Sequence, residues 1–328
     1  MAKGQASFSD IEHEGARKRT RRQEFLEIMD EIICWDEWVA YVRPLYYQAK
    51  GPGRPARELE VMLRMYLMQV WFSLSDVGCE DACTDSYAMR SFLGIGAHEQ
   101  VPDATTLANF RHIIEKKKAD EVLLNAMIKA LQDNGVMYKG GTIVDATFIE
   151  STTSTKNATG ERDPEMHQGK KGKNWHHGMK MHIGVDAGTG LIHAVSTTPA
   201  NISDIAEAPK LIREDDEVLF GDSGYIGIEK REEVLADEHL SAMEFRINKR
   251  KGTVKDEVDR SIEYRKSSVR SKVEHPFHII KDIFGMRKTP YKGLSKNTTR
   301  LTMCALSANL YMLMMANRRL DGTPIYTT

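Results

Sequence analysis

The feature that most constrains this 328-residue chain is a change of hydrophobic period near residue 135. Before that point, apolar residues recur at helical spacing, as in the run ELEVMLRMYLMQVWFSL. After NGVMYKGG the runs become β-branched and apolar on both faces, beginning with TIVDATFIE, which is typical of a central strand. The change predicts an all-helical N-terminal domain over residues 1–135 and a sheet-containing domain over residues 136–328.

Four further runs complete the predicted sheet. MKMHIGVD and LIHAVSTT flank AGTG, which indicates a β-hairpin with glycine in its turn. EVLFGD and SAMEFRIN are predicted to be the last two strands, and the chain from about Ile262 onward is predicted to be helical. Between the third and fourth strands, Ser203 is placed to cap a helix that is kinked or broken at Pro209.

The N-terminal helices are short and closely spaced. The run SLSDVGCEDACTDSYAMRSFLGI predicts one helix that ends at Gly94 and Gly96, and Asp103 is placed to cap the next. Several short helices joined by small turns are typical of a helix-turn-helix protein, although a plain helical bundle gives the same pattern. The sequence leaves these two alternatives open.

Three acidic residues lie in settings that suggest chemistry. Asp145 is inside the apolar strand TIVDATFIE, and Asp222 follows the strand EVLFGD at a glycine-containing turn. A carboxylate in such a place is costly unless a positive charge compensates it, and a hard divalent cation is a common compensation. Two ions held by Asp145, Asp222 and Glu274 would suit phosphodiester chemistry. Taken alone, each aspartate is as readily a capping or turn residue.

Glu274 has a simpler alternative role. In an unbroken helix it shares a face with Arg270 and Lys281, whereas the apolar stripe opposite is predicted to be buried. Pro276 removes a helical hydrogen bond, so the helix is kinked there or a new one begins. A surface glutamate paired with Arg270 is therefore the alternative to an acid aimed into a site. The predicted stripe consists of Val273, Phe277, Ile280 and Phe284.

The net charge of −1 hides a segregated distribution. Residues 201–244 hold 13 Asp and Glu against 4 Lys and Arg, whereas residues 245–272 hold 10 Lys and Arg against 4 Asp and Glu. Residues 281–300 hold 6 against 1, and ARKRTRR adds a basic cluster near the N-terminus. Any one cluster is compatible with an ordinary solvated face. Several of them around the three acids favour a track for a polyanion.

Other common site types find little support in the sequence. No run approaches the ~20 apolar residues of a membrane span, and neither a signal peptide nor a nucleotide-binding P-loop is predicted. The four cysteines form no C-x-x-C pair and are expected to be reduced thiols. The histidines of NWHHGMKMHIG lack the further ligands of a closed zinc site. Asp186, in the predicted hairpin, is expected to be a turn residue and is the main rival for a metal-binding aspartate.

Several multi-residue blocks occur in the order seen in a known family. They are VDATFIESTTSTKN, ERDPEMHQGKKGKNWHHGMKMHIGVDAGTGLIH, FGDSGYIG and SVRSKVEHPFHIIKDIFGMRKTPYKGL, with LEVMLRMYLMQVWFSLSD and VPDATTLANFRHIIE upstream. The chain thereby resembles the DDE transposases of bacterial insertion sequences, specifically the insertion-sequence-five (IS-five) family. Carried over residue by residue, the resemblance implies a catalytic triad of Asp145, Asp222 and Glu274, which would also be the metal ligands.

The family signature around the glutamate is matched in part. Three residues separate Arg270 from Glu274, and six residues separate Glu274 from Lys281. The signature's tyrosine would fall at Ser267, and the nearest tyrosine is Tyr264. Any tyrosine role therefore stays open.

The resemblance implies a fold and an activity. The expected fold is α/β, with an RNase H-like core of five mixed strands and flanking helices, preceded by the helical domain. The expected activity is metal-dependent cleavage and strand transfer on DNA, with terminal inverted repeats recognised by the N-terminal region. A nuclease of the same fold that does not join strands, and a domesticated DNA-binding protein without catalysis, are the alternatives.

The same resemblance implies the cofactor and partners. Two Mg²⁺ ions are expected, with Mn²⁺ able to substitute, and the partner is double-stranded DNA, both element ends and target. A homodimer or larger assembly on DNA in the bacterial cytoplasm is expected. The repeat sequence, the target preference and the hairpin or circular intermediates are not determined. The residues expected to contact DNA are Arg270, Lys281, Lys170, Lys171, Lys173, Arg17, Lys18, Arg19, Arg21 and Arg22.

Overall fold

The computed structural model of the chain describes residues 19–46, 56–96, 98–138, 140–156, 160–254 and 256–319. In these ranges the part before residue 141 is helical, as the apolar spacing predicts. Its helices are α1 (Arg21–Ile32), α2 (Trp35–Val42), α3 (Leu59–Trp71), α4 (Asp76–Asp85), α5 (Tyr87–Leu93), α6 (Ala104–Lys117) and α7 (Ala119–Asp133).

Side-chain caps set where several of these helices begin. The predicted cap at Asp103 is confirmed, because its carboxylate accepts a hydrogen bond of 2.7 Å from the Thr106 backbone N–H. The single helix predicted before Gly94 is wrong, because the Ser86 hydroxyl accepts a hydrogen bond from the Met89 backbone N–H and starts α5 there. Gly94, with φ of +71°, ends α5 in the left-handed conformation that favours glycine.

A mixed sheet follows the helices. Its strands are β1 (Gly141–Glu150), β2 (His167–Lys171), β3 (Asn174–Asp186), β4 (Ile192–Pro199), β5 (Val218–Gly221) and β6 (Glu244–Ile247). The order across the sheet is β4–β3–β1–β5–β6, with β2 paired to the first part of β3. β3 is antiparallel to β1 and to β4, and β5 and β6 run parallel to β1. The predicted α/β core, with its five strands, is confirmed.

The sixth strand, β2, has no counterpart in the sequence prediction. Its residues, HQGKK, are polar or basic apart from one glycine, so they lack the alternation that predicts a strand. β2 forms because the chain turns back at Gly172, with φ of +63°, and pairs with the exposed start of β3. Tertiary pairing therefore overrides a weak local preference.

The remaining helices lie after β4 and flank the sheet. They are α8 (Asp204–Glu207), α9 (Glu232–Leu235), α10 (Glu238–Ala242), α11 (Glu257–Arg270), α12 (Glu274–His278) and α13 (Leu294–Arg319). The predicted interruption near Pro209 is confirmed, since α8 gives way there to a 3₁₀ turn over Ala208–Leu211. None of the helices in the described ranges is both long and apolar enough to cross a bilayer.

The interruption predicted around Pro276 is also present. A 3₁₀ turn over Ser271–Val273 separates α11 from α12, and Glu274 is the first residue of α12. A π-helical turn over Ile279–Ile283 follows. Glu274 therefore lies beside the irregularity, and the predicted stripe of Val273, Phe277, Ile280 and Phe284 is buried.

The helical half and the sheet share a continuous hydrophobic core. α13 packs against α1, α3 and α7 on one side and against β4 on the other. Asn309 of α13 also hydrogen-bonds both the N–H and the C=O of Ile192 in β4, each at 2.8 Å. The last helix thereby fixes the sheet relative to the N-terminal helices.

Candidate active site

Asp145 lies in β1, and Asp222 directly follows β5, the parallel neighbour of β1. Ile143 of β1 pairs with Phe220 of β5, and two residues further along each chain come the two aspartates. The same spacing on parallel neighbours brings their side chains to the same edge of the sheet. Each carboxylate lies in the field of the other, since Asp222 raises the pKa of Asp145. The adjacency expected from the sequence is therefore present for this pair.

Local backbone bonds orient both carboxylates. Asp145 Oδ1 accepts a hydrogen bond of 2.8 Å from the Ala146 backbone N–H. Asp222 Oδ1 accepts one of 2.8 Å from the Gly224 backbone N–H and so caps the 3₁₀ turn Ser223–Tyr225. In each case a single oxygen is held by the backbone, which fixes the direction of the other.

Nearby cations compensate the charge of Asp145 only in part. Burial, more than any other cause, raises the pKa of Asp145 to about 6, and the Asp222 carboxylate adds to the increase. The Ala146 N–H, Arg270 and Lys171 act in the opposite direction. A carboxylate whose pKa is raised although cations lie near it is one that a further cation would stabilise.

Glu274 does not join the aspartates in this conformation. Its carboxylate accepts a hydrogen bond of 2.7 Å from Arg270, and its side chain is 64% exposed. Within the described ranges, no group of three or more His, Cys, Asp or Glu side chains is arranged to hold a metal ion. The contact seen is thus the surface pairing with Arg270 that the sequence left open as the alternative.

Arg270 is the electrostatic neighbour of all three acids. It is the last residue of α11, which packs on β5, and the turn after it packs on β1. Burial lowers the pKa of Arg270, but the hydrogen bond with Glu274 and the charges of Asp145 and Asp222 outweigh burial and raise it. Its guanidinium therefore supplies the positive charge that the acids share.

The position of α11 is fixed by contacts with the end of β6. Asn248 donates a hydrogen bond of 3.1 Å to the Ser267 hydroxyl, and the Lys266 ammonium donates one of 3.1 Å to the Ile247 carbonyl. Ser267, where the family signature has tyrosine, is thus a tethering residue. Tyr264 is 77% exposed on the same helix.

Sequence reasoning missed Tyr225, which lies beside the acid pair. It belongs to the turn that Asp222 caps and is only 2% exposed. Burial first, and then the charges of Asp145, Asp204 and Asp222, raise its pKa. Among the described residues its buried hydroxyl has no hydrogen-bond partner. The signal in the sequence was its place three residues after Asp222 in FGDSGY.

Several of the predicted basic residues near the sheet interact electrostatically with one another and with Asp145. Lys171, at the end of β2, lies in the field of Asp145 and also of Lys281. Burial first, and then Lys171 and Arg287, lower the pKa of Lys281. Lys170 lies 5.7 Å from the ring centroid of Trp175. Arg287, which the sequence analysis did not single out, belongs to the same group and stands in the basic run MRKTPYK.

Trp175 and Lys173 extend this group to the solvent. Lys173 is exposed in the turn between β2 and β3, and the Trp175 side chain is 67% exposed. An aromatic ring in water beside lysines is suited to nucleotide bases and phosphates. The hairpin of β2 and β3 therefore leaves Lys173 and Trp175 accessible, and its contact with DNA stays a prediction.

The basic residues near the N-terminus that were predicted to contact DNA differ in their surroundings. Arg17 and Lys18 lie outside the described residues. Arg19 is ion-paired with Glu27, and the Arg22 guanidinium lies 5.3 Å from the centroid of the Phe72 ring. Arg21 is exposed at the start of α1. All three described residues are at the surface, two of them with intramolecular contacts.

Asp186, the rival metal-binding aspartate, is a turn residue as expected. Its Oδ1 accepts hydrogen bonds from the backbone N–H and the hydroxyl of Thr189, at 2.7 and 2.9 Å. Its other oxygen lies 3.4 Å from Arg213. The carboxylate is therefore satisfied by the hairpin and by a buried arginine.

The histidines of β3 have separate surroundings. His176 stacks on Phe148, with ring centroids 4.9 Å apart, and lies 3.4 Å from Glu150. His182 is buried and shares a hydrogen bond of 2.8 Å with Thr198. Their side chains therefore serve the packing of the sheet.

Asp145 and Asp222 fit a hard divalent cation. Magnesium prefers oxygen ligands and is commonly bound through one or two carboxylates, with water and substrate phosphate completing its shell. The two aspartates supply that donor set, and the raised pKa of Asp145 shows that the pair tolerates more positive charge. Glu274 would have to leave Arg270 to complete a three-carboxylate set.

Two comparisons with known families agree with this geometry. Residues 139–310 match the family described as Transposase DDE domain, and residues 14–113 match a family described as Transposase domain. The first match covers more than half of the chain and includes the whole sheet with its acids. It implies an RNase H-like core and an enzyme that cleaves or transfers DNA and depends on a divalent metal. The chain therefore belongs to the DDE transposases of insertion sequences.

Proposed function

We propose that this protein is the transposase of a bacterial insertion sequence of the IS-five family, acting in the cytoplasm on nucleoid DNA. It binds terminal inverted repeats, cleaves at the element ends and transfers the ends to target DNA. The observation that carries the proposal is the equivalent placement of Asp145 and Asp222, each two residues after the paired Ile143 and Phe220 of the parallel neighbours β1 and β5. The IS-five assignment rests on the ordered sequence blocks, which include the spacing of Arg270, Glu274 and Lys281.

In this proposal Asp145, Asp222 and Glu274 are the catalytic acids and the metal ligands. Two Mg²⁺ ions, for which Mn²⁺ substitutes, would polarise the scissile phosphate and activate the attacking oxygen. Asp145 and Asp222 orient their carboxylates through their backbone hydrogen bonds. Glu274 contributes the third carboxylate once it has separated from Arg270.

The basic residues position the DNA. Arg270 and Lys281 bind phosphates near the cleaved bond, where positive charge offsets the charge of the transition state. The β2–β3 hairpin contacts phosphates of the next part of the duplex through Lys170, Lys171 and Lys173. The N-terminal helices and basic residues 17–22 recognise the inverted repeat. Pairing two ends requires at least a homodimer on DNA.

The experiment incubates the protein with a labelled duplex of the gene's flanking DNA, a target plasmid and Mg²⁺. We expect both cleaved ends and joined products, and we expect Asp145→Asn and Asp222→Asn to abolish both. Asp133→Asn, which changes an exposed aspartate at the end of α7, is the matched control and retains both products.

Each alternative activity gives a different result in the same assay. Cleaved ends without joined products would indicate a nuclease of this fold. Binding of the duplex without any cleavage in Mg²⁺ or Mn²⁺ would indicate a DNA-binding protein without catalysis. Undiminished cleavage by Asp222→Asn would refute the assignment of that residue.

A further inference from the structure

We propose that Arg270 holds Glu274 away from the two aspartates until a DNA phosphate binds Arg270, so that DNA binding assembles the carboxylate triad. This inference rests on the proposed function, since it concerns the same three acids. It assigns to the Arg270–Glu274 ion pair a regulatory role: the site is kept incomplete while DNA is absent.

The first support is the geometry of the ion pair. The Arg270 Nη2 to Glu274 Oε1 distance is 2.7 Å, and the side chains are 22% and 64% exposed, respectively. The arginine is thus the inner partner and the glutamate the outer one. The Arg270 guanidinium also interacts electrostatically with both aspartates.

The second support is the position of Arg270 at the junction of two segments that pack on β5 and on β1. α11 packs on β5, and the turn Ser271–Val273 packs on β1. Asp145 and Asp222 both act on the Arg270 guanidinium, as Glu274 does. Two neighbouring carboxylates need a cation, and without a metal the arginine partly fills that need.

The third support is a break in the helix between Arg270 and Glu274. Arg270 ends α11, and Glu274 begins α12 after the 3₁₀ turn Ser271–Val273. Such a turn within a helical stretch is a frequent site of movement. Glu274 can therefore swing without unfolding either helix, and Val273, which is fully buried, anchors the joint.

Phosphate is the ligand chemistry that would open the pair. A guanidinium binds phosphate through two parallel hydrogen bonds, whereas the hydrogen bond from Arg270 to Glu274 uses one nitrogen, Nη2. The glutamate end of the pair is mostly in water, so a phosphate that binds Arg270 through two hydrogen bonds can displace the glutamate. Once a phosphate occupies Arg270, the acids lose their counter-charge and Glu274 is released. The loss of counter-charge and the release of Glu274 both favour binding of a divalent cation by the three carboxylates.

The test measures Ca²⁺ affinity by calorimetry on the full chain without DNA, in a cycle of Arg270→Gln and Glu274→Gln. In the wild-type protein we expect Glu274→Gln to change the Kd less than twofold, because Glu274 is not a ligand there. In the Arg270→Gln protein we expect the same change to weaken binding about tenfold or more. The diagnostic quantity is this difference between the two backgrounds.

A second arm adds a duplex of the gene's flanking DNA, with Ca²⁺ in place of Mg²⁺ to avoid cleavage. We expect the duplex to tighten Ca²⁺ binding about tenfold in the wild-type protein and to make it sensitive to Glu274→Gln. Arg265→Gln is the control for simple electrostatics. It removes an exposed charge from the helix that carries Arg270 and should leave Ca²⁺ binding without DNA insensitive to Glu274→Gln.

The outcomes separate this inference from the proposed function. Equal weakening by Glu274→Gln in both backgrounds, or no effect in either, would overturn the role of the Arg270–Glu274 pair. Ca²⁺ binding unaffected by Asp145→Asn would instead refute the metal site itself. If Arg270→Gln unfolds, Arg270→Met gives the same cycle, because methionine is an unbranched helix former that carries no charge.

Discussion

Thr142 Oγ1 of β1 lies 2.8 Å from His193 Nε2 of β4, in the interior and three residues before Asp145. The same hydroxyl donates a hydrogen bond to the buried Asp216 carboxylate, which in turn binds Arg213. Burial, more than any other cause, lowers the pKa of His193 to about 3. A neutral histidine is therefore built into the interior of the sheet.

This arrangement predicts acid sensitivity. Between about pH 6.5 and pH 3, His193 is protonated in the unfolded chain but not in the folded chain. The free energy of unfolding therefore falls as the pH decreases through this range. For His193 alone the loss at pH 5 is about 2 kcal/mol. Urea unfolding at pH 7 and pH 5 measures it.

The control for this prediction is His193→Gln. Burial raises the pKa of Asp145 and of Asp120, each to about 6, so these two groups act in the opposite direction near that pH. The wild-type protein should therefore lose more stability on acidification than His193→Gln does. Equal losses in the two proteins would contradict the assignment.

The bonds of Asn309 to Ile192 predict a second effect. Asn309→Ala leaves a buried N–H and a buried C=O of β4 without partners, and we expect a loss of about 2 to 4 kcal/mol. Asn134→Ala, at an exposed site whose amide bonds the Ala130 carbonyl, should change stability by less than about 0.5 kcal/mol. Chemical denaturation of both variants distinguishes a specific link from a general effect.

Gly169 of β2 predicts a steric effect on the hairpin. A Cβ there would lie 2.3 Å from the Ala200 carbonyl oxygen and 2.6 Å from the Phe148 ring. We expect Gly169→Ala to cost about 1 to 3 kcal/mol and to weaken DNA binding, because β2 carries Lys170 and Lys171. Gly252→Ala, where nothing lies within 4 Å, is the control and should be neutral in both assays.

Trp175 and Lys170 predict separable contributions to DNA affinity. Trp175→Ala should leave stability within about 0.5 kcal/mol and weaken binding by about 1 to 3 kcal/mol, through loss of base stacking. Lys170→Ala should lower the salt dependence of binding by about one charge. Lys129→Ala on the exposed face of α7 should alter neither quantity. Fluorescence anisotropy over a salt series tests all three.

The sequence alone determined the elements and the location of the aspartates. Hydrophobic period separates helix from strand locally, so the change near residue 135 and the five core strands could be predicted. The position of Asp145 within one apolar run and of Asp222 at the end of another also follows from local pattern. Local pattern did not predict β2, the division of the helix at Ser86, or the helix α10, which takes the first residues of the predicted last strand.

Only the tertiary structure decided which side chains meet. The contact of Glu274 with Arg270, the burial of Tyr225 beside the acid pair and the field of Lys171 at Asp145 depend on how separate segments pack. The sequence left two roles for Glu274 open. Helical spacing allows an ion pair with Arg270 as readily as a glutamate directed towards the two aspartates. Local periodicity fixes which face a residue occupies, whereas strand register and helix docking fix its neighbours.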